Sequence, residues 1–274
     1  DLLLFGDLPS GAGLSSSASL EVLIGFIMRD LYGFDVTNVD LALIGQQAEH
    51  EFCGVNCGIM DQFAVAMGKK DHALLLNTKT LDYEYIPITL CGVKLIIANS
   101  NKKHKLGESK YNERREECET ALEEISQAIG IHALCDLDEK TWNLYQVTVK
   151  DDDRKRRVKH AVTENARTKQ AAAALKNGEL KTFGELMKAS HQSLSEDYEV
   201  TGDEMDALVE AAWQQDGVLG SRMTGGGFGG STISLVEENF VDEFIQETGR
   251  IYTEKTGLSA DFYVVEIGDG PVVQ

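Results

Sequence analysis

The chain has 274 residues, 42% hydrophobic and 26% charged, which suits one large or two ordinary globular domains. Its formal net charge of -19 argues against nucleic acid and anionic membranes as partners, and no apolar run reaches the length of a membrane span. An anionic nucleotide stays open, because a few local donors and a metal ion override the global field at short range. Cys53, Cys57, Cys91, Cys118 and Cys135 are an odd, scattered set that fits free thiols in a reducing cytoplasm. Cys53 and Cys57 have no second Cys/His pair nearby and are read as buried thiols rather than a metal clip. The sequence begins at Asp1 directly in the run LLLF, so it is read as a fragment lacking an N-terminal part.

The pattern over 16–32 predicts a helix with Leu20, Leu23, Ile24, Ile27 and Leu31 on one apolar face and Gly33 as its stop. A second helix is predicted over 38–52, opened by a capping box of Thr37 and Asp40 and carrying Leu41, Ile44, Ala48 and Phe52 at helical spacing. GVNCG is a loop, and MDQFAVAMG a short buried helix closed by Gly68. HALLLN, LDYEYIPI and VKLIIANS read as three strands. Helices follow from about 107 to Gly130, through RKRRVKHAVTENARTKQAAAALKNG, through ELKTFGELMKASHQSL and over 203–215. A strand at 218–223, a glycine loop, the strand STISLV, a helix over 239–256 and the strand FYVVEI complete the chain. The fold class is α+β, with a domain boundary near residue 90: a first domain over 1–90 and a second over 91–274.

Three segments carry candidate chemistry. In GDLPSGAGLSSSASLEV, small residues permit a tight backbone path, and serines stand where the N–H groups of a helix have no intrahelical partner. The positive end of the helix dipole points the same way, so an anion can bind without the Lys of a P-loop. A serine-capped helix after a flexible loop explains the same residues. Glu49, late in its helix, opposes the dipole unless it is solvated or paired with a cation; a Mg²⁺ shared with a loop serine would supply the missing charge. Asp61 follows Gly58 at the start of a short apolar helix, where the dipole favours the ionised carboxylate; it suits a base or an orienting group for a hydroxyl. In MTGGGFGGSTISLV, five glycines in six residues suit either close approach to a ligand or a flexible hairpin. His50 and His104 read as surface or packing residues.

PSGAGLSSSAS, CGIMDQF and SRMTGGGFGGSTISL together resemble the GHMP kinases, and within them the galactokinase family. NSNKKHKLGESKYNERREECE, KHAVTENARTKQAAAAL and SHQSLSEDYEV follow the same family, so the resemblance runs over essentially the whole chain. It implies a two-domain GHMP kinase, with a partial ribosomal-S5-like N-terminal domain and a ferredoxin-like C-terminal domain. The implied reaction is ATP plus galactose giving ADP plus galactose 1-phosphate, with Mg²⁺. Gly11, Ala12, Gly13, Leu14, Ser15, Ser16 and Ser17 are implied to bind the ATP phosphates, and Ser17 and Glu49 to hold Mg²⁺. Asp61 is implied to act on the C1 hydroxyl, as a base or through orientation and electrostatics, and Gly58 and Tyr111 to contact galactose. The loop with Gly225, Gly226, Gly227, Gly229 and Gly230 is implied to lie near the active site.

The family's N-terminal signature, resembling G-R-x-N-x-I-G-E-H-x-D-Y, is absent, which makes this chain on its own an expected non-catalytic portion. Ser195, Gly202, Asp203 and Ser231 also depart from the family pattern, outside the positions assigned to chemistry. A non-catalytic galactose and ATP sensor and a kinase for a related sugar such as N-acetylgalactosamine are the alternatives; the intact SSSAS run favours the enzyme over the sensor. The expected partners are small molecules in the cytoplasm, with no nucleic acid and no membrane. Oligomeric state is left open.

Overall fold

The computed structural model describes residues 2–8, 13–102 and 107–273, and the chain divides into two compact units, Asp1–Ile88 with Val265–Gln274, and Thr89–Val264. The first unit reaches close to the boundary expected near residue 90, but it also takes back the last ten residues, which had been assigned to the second domain. Backbone chemistry explains the return. Gly270 N–H donates to Gly68 O at 2.8 Å, Lys70 N–H donates to Asp269 Oδ1 at 2.8 Å, and the two glycines lie too close for a Cβ to be added freely to either.

The first unit packs α1 (Ser16–Tyr32), α2 (Asn38–Ala48) and α3 (Met60–Met67) around Val22, Ala42, Ile59, Phe63, Ala66 and Met67, beside an antiparallel hairpin of β1 (His72–Leu76) and β2 (Tyr83–Pro87). The capping box opens α2: the Thr37 side chain accepts from Asp40 N–H, and Thr37 N–H donates to the Asp40 carboxylate. The buried stripe of α1 is Ala18 and Val22; the predicted face is turned outward at Leu20, Leu23 and Leu31. Small residues decide this, because Gly25 brings α1 against Leu41 of α2, where a Cβ would meet Leu41 Cδ2 at 3.0 Å.

α2 ends earlier than predicted. After Ala48 the chain widens into a π-turn, Glu49–Cys53, closed by Gly54 in the left-handed conformation. The wider turn rotates the residues after it off the helical stripe. Phe52 is therefore 92% exposed, while Glu49 extends the buried stripe of Ala42 and Gly45.

In the second unit β3 (Val93–Asn99) leads to α4 (Gly107–Ser126), α5 (Glu139–Tyr145), α6 (Asp152–Lys176), α7 (Leu180–Ser193) and α8 (Asp203–Trp213). Then come β4 (Val218–Thr224), β5 (Ser231–Glu237), α9 (Val241–Thr256) and β6 (Asp261–Val265). The sheet order is β4-β5-β3-β6, so across the sheet lie the second, third, first and fourth of these strands in chain order. That is the ferredoxin-like arrangement. β3 pairs antiparallel with β5, Val93 opposite Glu237 through Asn99 opposite Ser231. This strand belongs to the second unit, whereas its neighbours β1 and β2 form their own sheet in the first. α5 escaped the sequence reading; Asp138 caps it by accepting from Thr141 N–H, and Trp142 anchors it in the core.

Candidate functional site

In the first unit, Gly11 and Ala12 lie outside the described residues, as does His104 in the second. From Gly13 onward the loop turns sharply: Gly13 has φ 67° and Ser15 φ 55°, both left-handed. Ser15 is the N-cap of α1, yet its side chain makes no capping bond and the first turn holds no acidic residue. Ser19 N–H is bonded back to Ser15 O, so the N–H groups before it have no acceptor within the helix. A serine-capped helix is therefore not what forms. Among the described residues no side chain caps the positive end of α1, beside the exposed Ser16 and Ser17 and the half-buried Leu14 and Ser15, which suits an oxyanion.

Glu49 is 9% exposed on its π-turn. The segment after it is tied back at Cys57 O, which is 3.1 Å from Gln46 Nε2 and 2.8 Å from His50 Nε2. His50 is thus a packing residue, as read from the sequence. Gly58 follows in open space; a Cβ there would meet nothing within 4 Å, and its φ is ordinary. The fold of this segment does not itself demand a glycine at 58.

Asp61 stands in the first turn of α3, half-buried, and its carboxylate makes no hydrogen bond or ion pair with another described residue. Cys57 locates it relative to the other acids. Burial first, then the charges of Glu49, Asp61 and Glu21, push the Cys57 thiol up, so one half-buried sulfur lies in the field of three carboxylates. Cys53, expected to be buried, is exposed because the π-turn carries it outward; all five cysteines are free.

Glu21 was missed from the sequence. It accepts a hydrogen bond from Gln62 Nε2 at 3.1 Å and lies in the field of the Glu49 carboxylate. Burial pushes its carboxyl up, the bond from Gln62 opposes this, and Glu49 adds to the rise. The signal was a lone acid four residues after Ser17 in the middle of an apolar helix.

Among the described residues no Lys or Arg pairs with Glu21 or Glu49, and no group of three or more His, Cys, Asp or Glu side chains forms a ready metal cage. The Glu21 and Glu49 carboxylates are nevertheless oxygen ligands of the kind a hard divalent cation takes. Mg²⁺ takes one or two carboxylates and completes its shell with water and phosphate oxygens. The residues present fit Mg²⁺.

The second unit carries Tyr111 and the glycine loop. Gly225, Gly227, Phe228, Gly229 and Gly230 all have positive φ, between 58° and 120°. Gly226 lies against the Tyr111 ring, where a Cβ would sit 3.6 Å from Cδ2. Phe228 N–H donates to Val200 O at 2.6 Å, and a Cβ on Gly227 would come within 2.2 Å of that same oxygen. Ser100 N–H donates to Gly230 O at 2.9 Å. The loop is a specified path, not the flexible hairpin that the composition also allowed.

Val200 is itself fixed. It follows a second π-turn, Leu194–Tyr198, and the left-handed Glu199. Arg114, one turn after Tyr111, donates from Nε to Tyr198 O at 2.9 Å. The fully buried Arg157 donates to Asp197 O at 2.8 Å, to Glu117 at 2.6 Å and to Glu199 at 2.7 Å. Of the positions departing from the family pattern, Ser195 donates to Asp206 at 2.9 Å, Gly202 precedes α8 with φ 83°, and Ser231 is paired in β5.

Comparison with known proteins agrees with these features. The model of the GHMP kinases N terminal domain matches residues 1–69 and that of the GHMP kinases C terminal matches 171–250, so the fold is that of a GHMP kinase. The chain is 50% identical over 273 residues to galactokinase of Ligilactobacillus salivarius, covering 100% of this chain and 70% of that protein. It is 51% identical over 270 residues to galactokinase of Bacillus subtilis, covering 98% and 69%. The crystal structure of Lactococcus lactis galactokinase complexed with galactose superposes with a TM-score of 0.94 at 45% identity, over 97% of this chain and 68% of that one. The chain belongs to the galactokinase family. A homoserine kinase from Cytophaga hutchinsonii, at 17% identity and a TM-score of 0.60 over 97% of this chain and 69% of that one, shares the fold. Among the described residues no helix is long and apolar enough to cross a membrane.

Proposed function

We propose that the chain phosphorylates galactose with ATP, giving galactose 1-phosphate and ADP. The C1 oxygen forms a bond to the γ-phosphorus, the bond from that phosphorus to the bridging oxygen breaks, and the hydroxyl proton leaves to a base. Such transfer depends on positioning and charge neutralisation more than on covalent chemistry by the protein.

The observation that carries the chemistry is Asp61, a half-buried carboxylate at a helix start with no described partner of its own. It is free to take or orient the proton of the C1 hydroxyl. Gly11 to Ser17, with the positive end of α1, hold the phosphates. Ser17 and Glu49 hold Mg²⁺, which when bound offsets negative charge on the transferring group. Gly58 admits the sugar closely, because a Cβ there would meet nothing within 4 Å, and Tyr111 adds a sugar contact through a ring that Gly226 supports. The five free thiols support a cytoplasmic setting.

The test is a coupled ADP-release assay with galactose, ATP and Mg²⁺, run on this chain and on a version extended by the residues through which its relatives exceed it. Asp61→Ala and Asp61→Asn are made in whichever version turns over. Galactose-dependent ADP release that falls by on the order of 100-fold or more in both variants is the expected outcome. Unchanged turnover in Asp61→Ala removes Asp61 from the chemistry. Galactose binding without ADP release in either version makes the protein a sensor instead.

A further inference from the structure

Four successive main-chain carbonyls of the second unit accept from donors distant in sequence. Asp197 O accepts from Arg157 Nη1 at 2.8 Å, Tyr198 O from Arg114 Nε at 2.9 Å, Glu199 O from Arg114 Nη2 at 3.4 Å, and Val200 O from Phe228 N–H at 2.6 Å. The π-turn Leu194–Tyr198 and the left-handed Glu199, with φ 53°, turn these oxygens off the course of a helix. A left-handed glutamate is strained and persists only where its surroundings hold it. This one is held by its carboxylate, 2.7 Å from Arg157 Nη2 and 3.1 Å from Arg156 Nη2.

The bonds converge on Arg157, which is 1% exposed. Its Nε donates to Glu117 of α4 at 2.6 Å, its Nη1 to the π-turn and its Nη2 to Glu199. Each nitrogen faces a different partner, and the planar guanidinium fixes the angles between them. Glu117 also accepts from Arg114 at 3.3 Å, so one α4 carboxylate ties both guanidiniums. Tyr111 stands three residues before Arg114 on the same face of α4, and its ring lies against Gly226. The far end of the carbonyl strip is the glycine loop: Phe228 bonds to Val200 O, and a Cβ on Gly227 would lie 2.2 Å from it.

We propose that Arg157 is a positioning residue for the sugar side of the reaction: its guanidinium fixes the backbone from Asp197 to Val200, which holds the glycine loop against the Tyr111 ring. The proposal rests on the kinase reading and on the assignment of Tyr111 to the sugar. The role needs three donors in fixed directions, which positive charge alone does not supply. Lysine, a point charge on a flexible stem, keeps the charge and loses the geometry.

Hydrogen exchange on the whole chain reads the loop directly. In Arg157→Met and Arg157→Lys the Phe228 amide should gain about 10- to 100-fold in exchange rate relative to the amides of β3, the factor that a lost charge-assisted hydrogen bond amounts to. Glu199→Ala frees only the outer arm of the guanidinium, at a side chain with 43% exposure. It should give a relative gain of about 10-fold, and it decides the matter if neither Arg157 variant folds. A Phe228 rate that rises no more than those of β3 overturns the proposal, for Arg157 then serves stability alone. So does a wild-type rate in Arg157→Lys, which makes its charge sufficient. Steady-state kinetics, in whichever version of the protein turns over, tests the sugar side. The same variants should raise KM for galactose about 10-fold and leave KM for ATP unchanged, whereas a misfolded fraction would lower kcat and move neither KM. An unchanged KM for galactose overturns the proposal and leaves the kinase reading standing. No ADP release from the wild-type protein in either version ends the kinase reading and the proposal with it.

Discussion

Lowering the pH from 7 to 4 should weaken the second unit through one buried histidine, and Gln in its place should remove that weakening. His160 on α6 is 7% exposed, with Nδ1 2.9 Å from Ser193 Oγ and its ring stacked on Tyr198 at 4.6 Å between centroids. Burial lowers its pKa to about 4; Glu164 and Asp197 pull upward, and Arg167 and Arg222 push further down. In the unfolded chain the ring titrates near 6.5. Between these values the unfolded state binds the extra proton, so stability rises with pH and is lost on acidification. Working the linkage with these two pKa values, the unit loses about 2 kcal/mol between pH 7 and 5 and about 3 kcal/mol by pH 4.

The assay is urea unfolding followed by tryptophan fluorescence at a series of pH values, in wild type and His160→Gln. Both tryptophans, Trp142 and Trp213, lie in the second unit, so the signal reports that unit alone. Carboxylates titrate in both proteins and cancel in the difference. A wild-type profile parallel to that of His160→Gln between pH 7 and 4 would refute the reasoning, for it would mean that the ring takes up its proton in the folded state at the ordinary pH.

The glycine loop offers a paired test. Gly227→Ala puts a Cβ 2.2 Å from Val200 O on a backbone with φ 83°, and should destabilise the second unit by about 2–4 kcal/mol. Gly226→Ala meets only the Tyr111 ring, at 3.6 Å, and should stay within about 0.5 kcal/mol of wild type by the same fluorescence measurement; equal effects would mean that the loop is flexible after all. Phe63→Ala empties the core beneath α3, where Phe63 is 1% exposed, and should cost about 3–5 kcal/mol. Hydrogen exchange should show the loss in the first unit, with α3 amides exchanging faster while those of α6 keep their rates.

Much of this protein is decided by local chemistry that the sequence carries openly. Thr37 and Asp40 open α2 wherever they stand three residues apart, because each satisfies the other's backbone N–H. Gly33 and Gly257 end their helices in the left-handed conformation, which costs glycine little. The helix start at the serine run, the place of Asp61 in the first turn of α3 and the tight path of the second glycine run were likewise legible, because their residue types are tied to short-range backbone geometry. Tertiary structure decided what depends on partners distant in sequence. No local signal says that the chain widens into a π-turn at Glu49, for what matters there is the position of that carboxylate on the buried face beside Gly45. Glu21 looks like an ordinary surface acid until Gln62, 41 residues later, is folded against it. The sequence marks β3 as a strand just past the boundary near residue 90, but only the fold sets its antiparallel pairing with β5. The last ten residues return to the first unit because Gly68 and Gly270 leave space for one another, a fit between backbones that neither glycine displays alone.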